Sequence, residues 1–327
     1  MKAIIQEKYG PSNQVLQYKD FDQPRAGDRE VVVKVKAASV HPDVWHVVTG
    51  RPFILRLMGA GFWKPKDKIL GTEVAGVVES VGSHVTRFKK GDEVFGECLP
   101  GMQWKNGGSF AEYVAVKEDF LVFKPQNITF EQAATISTAG MIVLLNLQNL
   151  NIQPGQKVLI NGAGGNVGSV ALQILKAWGT EVTGVECAAK QKLLLEMGAD
   201  KVIDYAKSDF TESKERYDLV FDVASNLDFL KVLKVLTPKG VYVFIGHDHF
   251  GQFGRSIFGS IPHFLKLFLI SFFYGHLPKM SAKMPSKQET MSILSKLIES
   301  GKLRVVIDRV FPLSQAVQAL AYLESGV

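Results

Sequence analysis

Cysteine is scarce in this sequence: Cys98 and Cys187 are the only two in 327 residues. Two thiols exclude a disulfide framework, and they exclude a four-cysteine zinc lobe within one chain. Long hydrophobic runs are missing as well. The most apolar stretch, 264–274, covers eleven residues and is interrupted by Lys266, short of the ~20 that a membrane-spanning helix requires. A buried helix, a subunit contact or a lid over an apolar pocket is expected there instead. No internal repeat or low-complexity segment is present, and the N-terminal MKAIIQEKYG turns polar too soon for a secretory signal peptide. A cytoplasmic location is the expectation. Acidic residues are in modest deficit, 32 against 38 basic, for a net charge of +6. The cations gather at Lys64, Lys66 and Lys68 and at Arg87, Lys89 and Lys90, with Asp67 and Asp92 nearby. No nucleic-acid motif accompanies them, so a solvated face is expected and a nucleic-acid partner is not.

What is present is ordinary for a globular chain, 46% hydrophobic and 21% charged, and at ~100–200 residues per domain the length suggests two domains. The first third alternates in the manner of short strands with glycine-rich turns, as at Val31–Ala37, Lys90–Gly96 and Phe110–Val116. Glu73–Val81 reads as a strand pair or one bent strand, with Gly76 at a bulge or close approach. Such a pattern implies a barrel-like module. From about residue 129 the period changes. A helix is expected over 131–150, followed by strands at 157–161, 181–186, 201–205, 218–223 and 241–246 that alternate with helices at 167–178 and 188–197. This alternation implies a parallel sheet with right-handed crossovers. No periodic plan is legible over 247–285. The tail suggests a helix at 287–300, a strand at 305–311 and a helix at 314–324.

Between the first of these parallel strands and its helix lies Asn161-Gly-Ala-Gly-Gly-Asn-Val-Gly168. Ala163, Gly165 and Gly168 fall at the spacing of the dinucleotide fingerprint, with alanine in the first place. Gly165 lets the backbone approach a pyrophosphate, Gly168 lets helix and strand pack closely, and the helix that Asn166 and Val167 open would present its positive end to the phosphates. Glu186, at the end of the second strand, would accept hydrogen bonds from an adenosine ribose and favour NADH. Lys190 and Tyr205 argue for the 2′-phosphate of NADPH. The choice between NADPH and NADH stays open at this level.

Taken in order, Ser39-Val-His-Pro-Asp43, Leu70-Gly-Thr-Glu-Val-Ala-Gly-Val77 to Val78, Lys90-Gly-Asp-Glu-Val-Phe95, Gly107-Gly-Ser-Phe-Ala-Glu-Tyr113, the glycine-rich turn and Gly198-Ala-Asp-Lys-Val-Ile-Asp-Tyr205 resemble the medium-chain dehydrogenase/reductase superfamily. The similarity is to its zinc-independent, quinone-oxidoreductase-like branch and covers nearly the whole chain. The resemblance implies an α/β fold in which a Rossmann doubly wound parallel sheet is inserted into a GroES-like β-barrel domain. The barrel domain would comprise 1–128 plus 286–327, the cofactor-binding domain 129–285, and the active site the cleft between them. It also implies a homodimer and a last strand beyond Val327.

Zinc enzymes of the superfamily place ligands at positions that match His41, Thr72 and approximately Ala134, and neither threonine nor alanine replaces an imidazole or a thiolate. No zinc is therefore expected. His247-Asp-His249 reads as a loop lining the cleft rather than a metal site. The activity implied is NAD(P)H-dependent hydride transfer to a small apolar electrophile, a quinone or an α,β-unsaturated carbonyl. His41, where relatives commonly carry asparagine, is the candidate proton donor, and Asp43 is expected to cap the following helix. Thr138 would lie near the nicotinamide, and the backbone at Ile245 and Gly246 near its carboxamide. Trp45 and Trp63 are candidate substrate walls, with core packing the other reading for Trp45. Phe253, Phe258 and Phe264 would belong to a substrate wall or a dimer surface. Two other functions fit the same residues: a non-catalytic NAD(P)H-binding regulator or scaffold, and a reductase held weakly at a membrane surface by the 264–274 stretch and the positive charge.

Overall fold

β-branched residues are stiff and pack well on a pleated surface, and the valines at 31–35 build the centre of the first sheet. The computed structural model describes residues 1–99, 105–246, 257–278 and 286–326. A hairpin of β1 (Lys2–Gln6) and β2 (Leu16–Asp20), around the single turn α1 (Ser12–Val15), opens the chain. Then come β3 (Glu30–Ala37), helix α2 (Pro42–Thr49), β4 (Glu73–Val81), β5 (Glu93–Glu97), β6 (Tyr113–Lys117) and β7 (Leu121–Phe123). The last six elements include five antiparallel strands in the order β6-β3-β4-β5-β7. Glu73–Val81 is thus one strand, its pairing with β3 shifted at two places. Gly76 permits the close approach: a Cβ there would lie 2.2 Å from the Lys34 carbonyl oxygen.

Side chains alternate across the pleat. Val74, Val78 and Val94 face one core with Val31 and Val33. Ala75, Phe95 and Val122 face the other way, into a core shared with the helices and the second sheet. The helix expected over 131–150 is divided into α3 (Phe130–Ala133), opened by a Thr129–Gln132 capping box, and α4 (Ser137–Leu147). The interruption has a cause outside the helix. The Thr138 N–H donates to Glu73 Oε1 at 2.7 Å rather than to the carbonyl one turn back.

The second sheet follows, with β8 (Lys157–Asn161), α5 (Asn166–Ala177), β9 (Glu181–Glu186), α6 (Gln191–Glu196), β10 (Lys201–Asp204), β11 (Tyr217–Asp222), α7 (Phe229–Leu233) and β12 (Leu236–Phe244). Its five strands are all parallel in the order β10-β9-β8-β11-β12, so the order reverses between β8 and β11. In open α/β sheets ligands bind beyond the strand ends at that switch point.

Helices α8 (Ile261–Ser271), α9 (Lys287–Glu299) and α10 (Ala316–Ser325) complete the described elements. Gly140 of α4 lets α9 seat closely: a Cβ would meet the Leu294 side chain at 2.4 Å. Ala316 and Leu320 of α10 pack with Ile4, Val15, Val44 and Trp45 near the chain start.

Two expectations are corrected. Residues 304–312 form no strand, because side chains hold their backbone: Arg304 N–H donates to Gln173 Oε1 at 2.8 Å, and Gln132 Nε2 donates to the Val305 carbonyl at 3.0 Å. The apolar stretch at 264–274 is not a buried helix either. Within α8 only Leu267 is buried.

Gly168 sits where α5 leaves β8, and a Cβ would meet the Gly162 carbonyl oxygen at 2.2 Å. A backbone atom cannot swing aside as a side chain can. Gly168→Ala is therefore expected to lower unfolding stability by about 1–3 kcal/mol. Gly165→Ala, whose nearest neighbour would be 3.8 Å away, is expected to change it by less than ~0.5 kcal/mol. Urea denaturation of both variants checks the contrast.

Candidate active site

His41 occupies the N-cap of α2 in extended conformation (φ −143°, ψ 167°), followed by Pro42 inside the helix. Proline's fixed φ suits the first helical turn, and the turn carries the imidazole inward, where its side chain is 12% exposed. Its Nε2 lies 2.8 Å from Thr72 Oγ1 and 3.9 Å from Glu73 Oε2. Its Nδ1 lies 3.7 Å from Asp43 Oδ2. Asp43 makes no side-chain cap, contrary to the expectation. It stands in the first turn, beyond hydrogen-bond distance of the ring.

Glu73, wholly buried at the start of β4, gathers these groups. Ser39 Oγ donates to its Oε2, and the Thr138 N–H donates to its Oε1 at 2.7 Å. Burial pushes its carboxyl above the usual range, while His41, Ser39 and the Thr138 N–H oppose the rise and Glu97 adds to it. A second carboxylate continues the chain of contacts. Thr138 Oγ1 donates to Glu97 Oε1 at 2.9 Å, and Lys287 Nζ, from the first turn of α9, pairs with Glu97 Oε2 and donates to the Leu99 carbonyl. Lys287 also sits 4.9 Å from the centre of the Phe120 ring. One polar network thus runs from His41 through Glu73 and Thr138 to the C-terminal segment.

Glu73, Glu97, Ser39 and Lys287 were not legible as site residues. Ser39 and Glu73 do lie inside quoted motifs, but the positions of Glu97 and Lys287 carry no local pattern. Trp63 is 85% exposed, whereas Trp45 is in the core. Cys98 is buried, which pushes its thiol far up and leaves it no nucleophile.

At the switch point, Asn161 at the end of β8 donates through Nδ2 to Asp222 Oδ1 at 2.8 Å, across to the end of β11. Tyr242 OH donates to Asp222 Oδ2 at 2.8 Å. The Asp222 carboxyl is raised by burial. Ile245 and Gly246 follow β12 and are fixed from behind: Ile245 N–H donates to the Asp222 carbonyl at 3.1 Å, and Gly246 N–H to Ser225 Oγ at 3.0 Å. Beside them β8 passes through Gly162 (φ +83°) into α5. Ala163 is buried against Gly184, Val167 is half-buried, and Gly165 and Asn166 are exposed. Asn166 Nδ2 donates to the Thr135 carbonyl at 2.9 Å, tying the turn to the segment before Thr138.

Glu186 bends back over this turn and accepts from the Gly164 N–H at 2.8 Å and the Cys187 N–H at 3.0 Å. The Lys190 stem lies over the same glycine, its Cδ 2.7 Å from where a Cβ would stand. Tyr205, 61% exposed, follows Asp204, which is in register with Glu186. An exposed helix N-terminus, a turn with room for backbone approach and these three side chains fit a dinucleotide. His247, His249 and Phe253 lie outside the described residues, whereas Phe264 packs on Phe244 with ring centres 4.9 Å apart.

A carboxyl raised in the folded state binds its proton more tightly there than in the unfolded chain, so its contribution is present at low pH and is lost as pH rises. Stability is expected to fall as pH climbs above the ordinary glutamate value of 4.5. Glu73→Gln, which carries no charge to bury, is expected to flatten that fall. Thermal unfolding across the pH range checks it, and a wild-type curve no steeper than the variant's would count against a raised Glu73.

Residues 27–126 match the family model for the alcohol dehydrogenase GroES-like domain, and residues 197–327 match one for zinc-binding dehydrogenases. The donor set does not fit the metal in the second description. The positions that the resemblance aligns with zinc ligands hold His41, Thr72 and approximately Ala134, and among the described residues no group of three His, Cys, Asp or Glu side chains is placed to hold a metal ion. The chain is 31% identical to the chloroplastic NADPH-dependent alkenal/one oxidoreductase of Arabidopsis thaliana, over all of this chain and 77% of that protein. Among solved structures it is similar to the quinone oxidoreductase of Coxiella burnetii (28% identity, TM-score 0.82, covering 100% of this chain and 96% of that one). It is similar also to the Escherichia coli quinone oxidoreductase complexed with NADPH (26% identity, TM-score 0.78, covering 99% and 97%). With the GroES-like match, the parallel sheet and its glycine-rich turn, these similarities make the chain a member of the medium-chain dehydrogenase/reductase superfamily, in its quinone-oxidoreductase-like branch.

Proposed function

We propose that this protein is an NAD(P)H-dependent oxidoreductase that reduces quinones or α,β-unsaturated carbonyls without a metal, with His41 delivering the proton. The observation that carries the reading is the surroundings of His41. A hydroxyl, Thr72 Oγ1, stands 2.8 Å from its Nε2 at the position that the resemblance aligns with an imidazole ligand of the zinc enzymes, and the buried Glu73 carboxyl stands behind it. A bound nicotinamide supplies the hydride. The chain's own residues then have three tasks. The Gly165–Gly168 turn and the N-terminus of α5 hold the pyrophosphate. Thr138 and the Ile245-Gly246 backbone orient the nicotinamide end. His41 gives a proton to the oxygen that becomes negative as hydride adds, completing the addition of one hydride and one proton across the acceptor.

Glu186 and Lys190 share Gly164, so ribose and 2′-phosphate recognition compete at one place. The proposal takes Lys190 and Tyr205 as a phosphate site and Glu186 as the ribose acceptor. The free thiols of Cys98 and Cys187 suit a reducing, cytoplasmic setting. A homodimer is part of the reading too, supported by Val306 and Val310, which stand 43% and 64% exposed in the strandless segment.

His41→Ala is expected to lower turnover with a quinone or enone about 100-fold or more, the scale of general acid catalysis, while cofactor affinity by fluorescence titration changes little. Equal losses in both would contradict the role. Lys190→Ala is expected to weaken NADPH about tenfold, the worth of one charge-assisted phosphate contact, and to leave NADH unchanged. Glu186→Ala is expected to narrow the difference between the two, and titrating both cofactors against both variants decides it.

A further inference from the structure

Soluble monomers rarely expose large contiguous apolar patches, and when they do the patch marks a partner. Two segments distant in sequence expose apolar side chains beside the residues of the candidate site. The first follows α2, the helix that His41 opens, and exposes Leu57 (60%), Met58 (57%) and Trp63 (85%). The second is α8 and the turn after it, exposing Leu269 (62%), Phe272 (70%) and Phe273 (86%). The Ile54 N–H donates to the Ile257 carbonyl at 3.1 Å, which sets the two segments side by side. The second borders the turn that follows β12, and the first continues from the helix that His41 opens. Phe264 of α8 packs on Phe244, and its ring would be 2.4 Å from a Cβ on Gly246.

Charge selects the occupant. Residues 51–68 present exposed Arg51, Lys64, Lys66 and Lys68 against the single acid Asp67. Residues 257–278 contain Lys266 and no acid. Lys266 lies 3.5 Å from the exposed Asp228, which offsets its charge, so the positive charge of the surface rests on residues 51–68. A second copy docked face to face would bring these lysine clusters toward each other. An anionic bilayer satisfies both features at once: lysines at the headgroups, and leucine, phenylalanine and tryptophan side chains below them. Helix α8, with eleven residues, is too short to span and of a size to lie in the interface.

We propose that this face docks on an anionic lipid surface, with the mouth of the cleft toward the bilayer, so that an apolar acceptor dissolved in lipid reaches the site directly. The docking rests on the surface alone. The delivery of acceptor rests on the reductase reading above.

Flotation with phosphatidylcholine vesicles, with and without phosphatidylglycerol, tests it on the full chain. Binding is expected to the phosphatidylglycerol vesicles and to weaken with salt. Leu269→Glu with Phe273→Glu is expected to reduce it at least about tenfold, since two apolar side chains leave the lipid. The same double variant should keep its rate on a water-soluble quinone and lose rate on a long-chain quinone held in the vesicles. No flotation on either vesicle, or flotation indifferent to the substitutions, would overturn the proposal. So would a change from dimer to monomer in sedimentation without any lipid dependence, which assigns the face to a second copy. Flotation as expected with no reduction of any quinone would uphold the docking and sink the reductase reading instead.

Discussion

The carboxyl of Glu73 is the point on which the rest of the site depends. It is wholly buried, and burial of a carboxylate is tolerated only with partners. Here they come from three places in the chain: Ser39 before α2, the Thr138 N–H at the start of α4, and His41 3.9 Å away. Because Thr138 N–H goes to Glu73, the helix expected over 131–150 is interrupted there, and that break sets Thr138 at a helix start facing β4. The backbone of the second module and the imidazole of the first are thus set against one acid. Glu97 and Lys287 extend the same logic to the C-terminal helix, where removing one charge would leave the other buried and unpaired.

Much of the fold was legible because its signals are local. A short apolar strand, a glycine-rich turn and an amphipathic helix occur in sequence at 157–177, and β8, the turn and α5 stand there. Gly76 and Gly168 announced close approaches that the structure realises against Lys34 and Gly162. Failures came where long-range contacts outweigh local preference. Val305–Phe311 has a strand's composition, yet Gln173 and Gln132 take its backbone hydrogen bonds. Asp43 has a cap's composition and sits two residues too far along for it, since His41 is the N-cap.

The site was legible by halves. The nucleotide end depends on glycines at fixed spacing, which a sequence displays. The His41 end depends on two buried acids, Glu73 and Glu97, brought together with Thr138 and Lys287, which no spacing encodes. Burial also divides the aromatic residues: Trp45 is core and Trp63 is surface, though their composition is the same. Leu57, Met58 and Trp63 stand exposed beside Lys64, Lys66 and Lys68, the grouping on which the proposed docking rests.

In the proposed reading the buried Glu73 carboxyl, 3.9 Å from His41, positions the proton donor, so the two should behave as one unit. A double-mutant cycle of His41→Ala and Glu73→Gln, read as kcat/KM for NADPH-dependent reduction of a quinone or enone, measures this. Charged or polar residues in contact couple by about 0.5–3 kcal/mol, so the account predicts that Glu73→Gln costs far less in the His41→Ala background than in the wild type. Additive losses in the double variant would contradict it.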